Sequence, residues 1–218
     1  VNSANAALLI KANGEPEVIQ FRDVSYDAGS GSYTLSGLLR GRRGTDVFMS
    51  GHTAGEVFLL LDPLTVSAAL LSLGDLDVSR QWRAVTVGSL FEDAVIMPRV
   101  HTGRDLKPYA PWDVKAAEDA GDITITWHRR TRIGGELKDG TGIVPLAEAT
   151  EAYEVDVLAE PGGAVLRTLE SATESATYAA ADIGTDFGTT PASLSVVVYQ
   201  MSAVAGRGFP RAVTLEIA

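Results

Sequence analysis

The sequence predicts an all-β chain: an irregular β-rich domain over residues 1–104, followed by a β-sandwich over residues 105–218. Three observations carry this. Short apolar runs rich in Val, Thr and Ala recur along the chain, and 22 glycines and 9 prolines punctuate them. From Asp122 onward the runs alternate polar and apolar residues, with turn signals every ~10 residues, the pattern of an immunoglobulin-like sandwich. Between the two halves, Pro108 and Pro111 enforce an extended path of the kind that joins domains.

In order along the chain, Ala7–Ile10 and Val18–Phe21 flank Asn13-Gly14-Glu15-Pro16 and read as a hairpin. After the turn Asp27–Ser32, the run Tyr33–Leu39 reads as a strand with Tyr33, Leu35 and Leu38 toward a core; it empties into Arg40-Gly41-Arg42-Arg43-Gly44-Thr45. Val57–Leu61 is a continuously apolar strand stopped by Asp62 and Pro63, and Leu64–Leu73 offers the one stretch suited to a helical turn. Trp82–Gly88 alternates as a half-buried strand. Then Asp122–His128 alternates strictly, placing Ile123, Ile125 and Trp127 on one face. Strands follow at Tyr153–Val157, Val165–Leu169, Thr177–Ala179, Ser193–Met201 and Ala212–Ile217.

Composition narrows the function classes. With 45% hydrophobic and 21% charged residues, the chain is that of a folded protein rather than a disordered one. A net charge of −10 argues against nucleic-acid binding by the surface as a whole. The lack of cysteine excludes disulfides, thiolate metal sites and a cysteine nucleophile, and leaves the redox compartment open. No apolar run approaches the ~20 residues of a spanning helix. The start Val1-Asn2-Ser3 shows no signal-peptide pattern, and a piece of a longer polypeptide is expected, tag removal being the alternative.

Within the second half, a Trp closing the second strand, no Cys pair, and a last hairpin carrying Ala205-Gly206-Arg207-Gly208-Phe209-Pro210 resemble a fibronectin type III module. The corner tyrosine expected before the sixth strand is replaced by Leu194. A wider resemblance rests on Leu35–Thr45, Gly51-His52, Leu106–Tyr109, Ile125–Gly135, Val144-Pro145-Leu146 and Glu151–Val155. In order and spacing these are similar to the C-terminal part of tail-tip hub proteins of long-tailed phages, most of all the large baseplate protein of alphaproteobacterial gene transfer agents. The resemblance implies a structural component of a virion-like tail tip, made in the bacterial cytoplasm. It further implies assembly as a homotrimer with other tail and baseplate proteins, and attachment to the host envelope during DNA delivery.

Read residue by residue, the candidate sites are few. Arg40, Arg42 and Arg43 sit in a Gly-punctuated loop that could cradle an anion, or pair with carboxylates of this chain or a neighbouring subunit. Arg129, Arg130 and Arg132 pose the same choice. Continued strand alternation would send Arg129 to one side and Arg130 and Arg132 to the other, preventing a single patch. Trp82, between Gln81 and Arg83, is the candidate for stacking on a glycan; Trp112 is expected to pack at the domain joint and Trp127 in the core. His52, His101 and His128 lack metal-ligand spacing. Asp75/Asp77, Glu92/Asp93 and Asp119/Asp122 are expected to be solvated, and Asp182 and Asp186 around Gly184 form at most a weak calcium loop.

No nucleophile elbow, phosphate loop or catalytic motif is present. The expectation is therefore a structural protein, not an enzyme, with no cofactor, metal or specific nucleic acid. A receptor- or glycan-binding module is the alternative, and an envelope-degrading hydrolase the third reading.

Overall fold

The computed structural model describes residues 5–62, 64, 66, 69–134 and 143–217. Among these residues the chain is β, with one short α-helix. The first region opens with β1 (Ala6–Ile10) and β2 (Pro16–Gln20), paired antiparallel with Ala6 opposite Gln20, as the hairpin reading expected. Among the described residues, β3 (Asp23–Asp27) and β4 (Ser32–Ser36) pair only with each other. β5 (Leu39–Arg42) then returns to β2, and β6 (Val57–Leu60) pairs β1, giving the sheet order β5-β2-β1-β6. A second isolated hairpin joins β7 (Ser79–Arg83) to β8 (Ile96–Val100).

Three expectations for this region fail. The Tyr33–Leu39 strand is broken at Gly37, whose φ of +64° suits glycine and ends the pairing. Tyr33 and Leu38 are exposed rather than core, because among the described residues the β3–β4 hairpin is a two-stranded ribbon that no other strand joins. The Trp82–Gly88 strand stops at Arg83, where pairing with Ile96 ends; alternation marks sidedness, but without a partner it does not make a strand. The described residues within Leu64–Leu73 hold no α-helix, only the start of a 3-10 turn at Leu73, and the others of that stretch lie outside the described residues.

The second region is a sandwich. β9 (Trp112–Asp119), β10 (Asp122–His128) and β13 (Ser175–Tyr178) form one sheet in the order β13-β10-β9. The other runs β12-β11-β14, with β16 on the far side of β14 and the short β15 (Gly206–Arg207) at its end. Here β11 is Tyr153–Leu158, β12 Val165–Ser171, β14 Ser193–Ser202 and β16 Arg211–Glu216. This is the fibronectin type III strand arrangement.

Alternation builds its core. Ile123, Ile125 and Trp127 from β10 meet Tyr153, Val155 and Val157 from β11 and Leu194, Val196 and Val198 from β14, all essentially buried. Trp127 packs edge-on against Tyr153, ring centroids 5.2 Å apart, an arrangement that matches the ring quadrupoles. Burying such side chains contributes about 1.5–3 kcal/mol each.

One helix escaped the sequence reading. α1 (Ala180–Phe187) fills the connection from β13 to β14, burying Ile183 and half-burying Phe187. Its Gly184 and eight-residue length hide it from propensity, but Ile183 and Phe187 at i,i+4 were the available signal. The same corner explains the missing tyrosine. Leu194 is simply core, and Tyr178, on the strand before, sends its hydroxyl to Asp186 of α1 at 2.7 Å. Asp182 and Asp186 are not a calcium loop: both lie on α1 and pair with Arg167 of β12, at 3.1 and 2.7 Å.

Candidate functional site

The two arginine clusters, far apart in sequence, meet in one cleft at the seam between the regions. Its described walls carry Arg40, Arg42, Arg43, Arg129, Arg130 and Arg132, with Tyr109, Trp112 and Thr131, and it encloses about 730 Å³. Asp105 is the one carboxylate among these described wall residues. The expectation that Arg129 would be separated from Arg130 and Arg132 is overturned. β10 ends at His128, after a register shift against β9 between Thr126 and His128, so the arginines leave the pleat and all three reach the cleft.

The first cluster is built on β5 and the turn after it. Arg40 forks onto Glu17, with Nε to Oε1 at 2.6 Å and Nη2 to Oε2 at 2.5 Å, and the Gly41 amide donates to the same carboxylate at 2.8 Å. Glu17 is fully buried, and His52 Nε2 lies 2.8 Å from its Oε2. Burial opposes ionisation of Glu17, yet the Arg40 fork and the Gly41 amide outweigh it and hold its pKa below the ordinary carboxylate value. The Gly-punctuated loop thus does cradle an anion, and that anion is a carboxylate of this chain. His52 also contacts Glu56 through Nδ1 at 2.5 Å. Arg42 donates through Nε to the Gln20 amide oxygen at 2.9 Å.

The second cluster is anchored from behind. Arg129 bonds Glu151 and Glu174, each at 3.1 Å, and the Val144 carbonyl. Arg132 bonds Glu148, whose side chain is only 6% exposed. Arg130 crosses the seam to Asp46 at 2.9 Å and lies over the Tyr109 ring, 5.4 Å from its centroid. Carboxylate pairing within the chain therefore accounts for Arg40, Arg129, Arg130 and Arg132. Tyr109 closes the floor against Gly44, where a side chain would collide with its ring at 2.5 Å. Burial pushes the Tyr109 hydroxyl pKa up, against the pull of the surrounding arginines. The linker is tied to the last hairpin by the Phe209 amide donating to Pro108 O at 2.9 Å.

The tryptophans divide. Trp127 is core, as expected. Trp112 does not pack into the joint; it is 52% exposed on the cleft wall, its ring 5.6 Å from that of His128. Trp82 is partly exposed opposite Met97, beside a shallow recess of about 270 Å³ with Arg80, Arg99 and His101, and no Tyr, Phe or second Trp is among its described lining residues. Among the described residues no group of three or more His, Asp or Glu side chains is placed to hold a metal ion. Asp75 is held by Ser72 and by Arg80, which bring its pKa down to about 2. No helix among the described residues is long and apolar enough to cross a membrane.

Comparison with known proteins gives little beyond this geometry. The family model described as "Rcc01698-like, C-terminal" matches residues 1–59, which contain the first arginine cluster but neither the linker nor the sandwich. No curated protein matches the chain. Among solved structures, domains d3–d4 of the rat CD45 extracellular region align over 98% of this chain and 95% of that one. Identity is 11% and the TM-score 0.35, too remote to add to the strand order already described.

Proposed function

We propose that this chain is a structural component of a phage-like tail tip, working by packing into an oligomeric assembly and presenting its sandwich outward. One observation carries the reading. The first region leaves apolar side chains uncovered: all four residues of β6 are at least 39% exposed, as are Val24, Tyr26 and Tyr33 on β3–β4 and Trp82 and Ile96 on β7–β8, with Met97 at 37%. Apolar strands left exposed to this extent point to a protein interface. The β6 edge adds a row of backbone groups open to a further strand. A homotrimer set among other tail proteins would cover these faces, and complementary charge at the rims would fix its register.

The resemblance of Leu35–Thr45 and Ile125–Gly135 to tail-tip hub proteins supports the same reading. The chain acts without catalysis in this proposal, and its place is the particle rather than a membrane. Gold-labelled antibody raised against the sandwich, applied to particles shed by cells that encode the chain, is the test. Label at one end of the tail is the expected outcome. Label absent from purified particles, with the chain recovered only in the soluble fraction, would overturn the proposal.

A further inference from the structure

We infer that the arginine cleft at the seam binds an acidic saccharide, with its carboxylate or phosphate on Arg42, Arg130 and Arg132 and a sugar ring against Trp112. The cleft is independent of the assembly surfaces above and is not the Trp82 recess.

Four features argue for it. The first is charge placement: six guanidiniums line the described wall beside Asp105, with Glu17, Asp46 and Glu148 paired to Arg40, Arg130 and Arg132. In a chain of net charge −10, this gathers six of the 18 Lys and Arg residues into one place. The second is donor supply. Each guanidinium has five N–H donors and no acceptor. Arg42 uses only Nε, Arg130 only Nη1, and Arg132 only Nε and Nη2 in hydrogen bonds among the described residues. The remaining terminal donors are what a planar or tetrahedral oxyanion takes up.

The third feature is preorganisation. Glu148, nearly buried, holds Arg132 through two donors and Asp46 holds Arg130 through one before any ligand arrives, which lowers the ordering cost of binding. The fourth is shape and chemistry. A volume of about 730 Å³ lies within the range of ligand sites. Trp112, half exposed on the wall, offers an apolar face to a sugar ring, while Asp105 and the Thr131 hydroxyl supply acceptors for sugar hydroxyls. Arg40, Gly41 and Arg42 lie on β5 and Trp112 on β9, both edge strands, so it is the exposed indole face of Trp112, suited to stacking on a sugar ring, that favours the saccharide over a peptide.

The test is calorimetric titration of the full chain with trigalacturonate, glucose 6-phosphate, neutral maltotriose, inorganic phosphate and hexaglutamate. The inference expects trigalacturonate or glucose 6-phosphate to bind more tightly than about 1 mM and to weaken with salt. Which of the two binds separates a uronic acid from a sugar phosphate. Maltotriose is expected not to bind. Arg42→Gln and Trp112→Ala should each weaken binding about tenfold while leaving the thermal melt of the sandwich in place, which separates lost contact from lost fold. Failure of both acidic sugars, equal affinity for maltotriose or inorganic phosphate, or no change in either variant overturns the inference. Hexaglutamate binding as tightly as the sugars would overturn it in favour of an acidic polypeptide.

Discussion

The two regions of this chain bury their apolar residues to very different degrees. Among the described residues, the region up to Arg104 buries four hydrophobic side chains, Ala6, Ala7, Val18 and Ile19, whereas the region after it buries sixteen. Exposed large hydrophobics run the other way, with 24 in the first region and seven in the second. Both regions are β, and both have apolar strands. The difference is that the sandwich folds two sheets onto each other, while the first region offers one small sheet and two unpartnered hairpins. What stabilises the first region from within is polar instead: Glu17, buried among Arg40, Gly41 and His52. A sandwich completes itself, whereas under the proposed function the first region is completed by an assembly partner.

Substitutions can break this contrast. Ile125→Ala opens a cavity between the sandwich sheets and should cost about 4 kcal/mol in denaturant unfolding, with the first region's hydrogen exchange little changed. Arg40→Met leaves Glu17 buried without its fork and should cost about 3 kcal/mol, now in the first region, read as lost amide protection along β2 and β5. If either loss spreads equally over both regions, they are one cooperative unit. Gly44→Ala forces a side chain into the Tyr109 ring at a φ of +76°; a loss of about 2 kcal/mol and a more protease-sensitive linker are expected.

Acid should separate the regions as well. The pKa of Glu17 is lowered in the folded state, so its contribution is fully present above the ordinary value of 4.5 and is lost as pH falls through the folded value. Exchange of the Gly41 amide, which donates to Glu17, should accelerate across that window, and no acceleration would contradict the clamp. The smallest effect on stability is expected from Phe58→Ala, within about 0.5 kcal/mol for the isolated chain because the residue is already 46% exposed. A large loss there would mean that β6 belongs to an internal core after all.

The sandwich was legible in the sequence because burial on one face enforces alternation. Asp122–His128 could be read residue for residue, and so, within a residue or two, could β11, β12, β14 and β16. β9 was hidden by the prolines before it and by its run Lys115-Ala116-Ala117-Glu118, which carries no clear two-residue pattern. In the first region alternation lost its meaning, since neither face of β3–β4 or β7–β8 is covered; thus Tyr33 and Leu38 looked like core, and the strand at Trp82 was drawn too long. The arginine clusters were visible as clusters. Their meeting was not, because it depends on where β10 stops and on a seam between segments some 85 residues apart: Arg130 to Asp46 spans 84 positions. Nothing local marked Glu17 as the buried partner of Arg40, although an acid inside Pro16–Gln20, otherwise headed for a sheet, was the available hint.

Mass in solution, followed by light scattering across micromolar concentrations, tests the central claim most directly. If the open faces of the first region are assembly surfaces, the mass should rise with concentration toward three times the 23.0 kDa of one chain, and Phe58→Asp on β6 should return it to that of the monomer. A chain that stays monomeric throughout, with β6 and both hairpins protected from exchange, would contradict the account, since those faces would then need nothing to cover them.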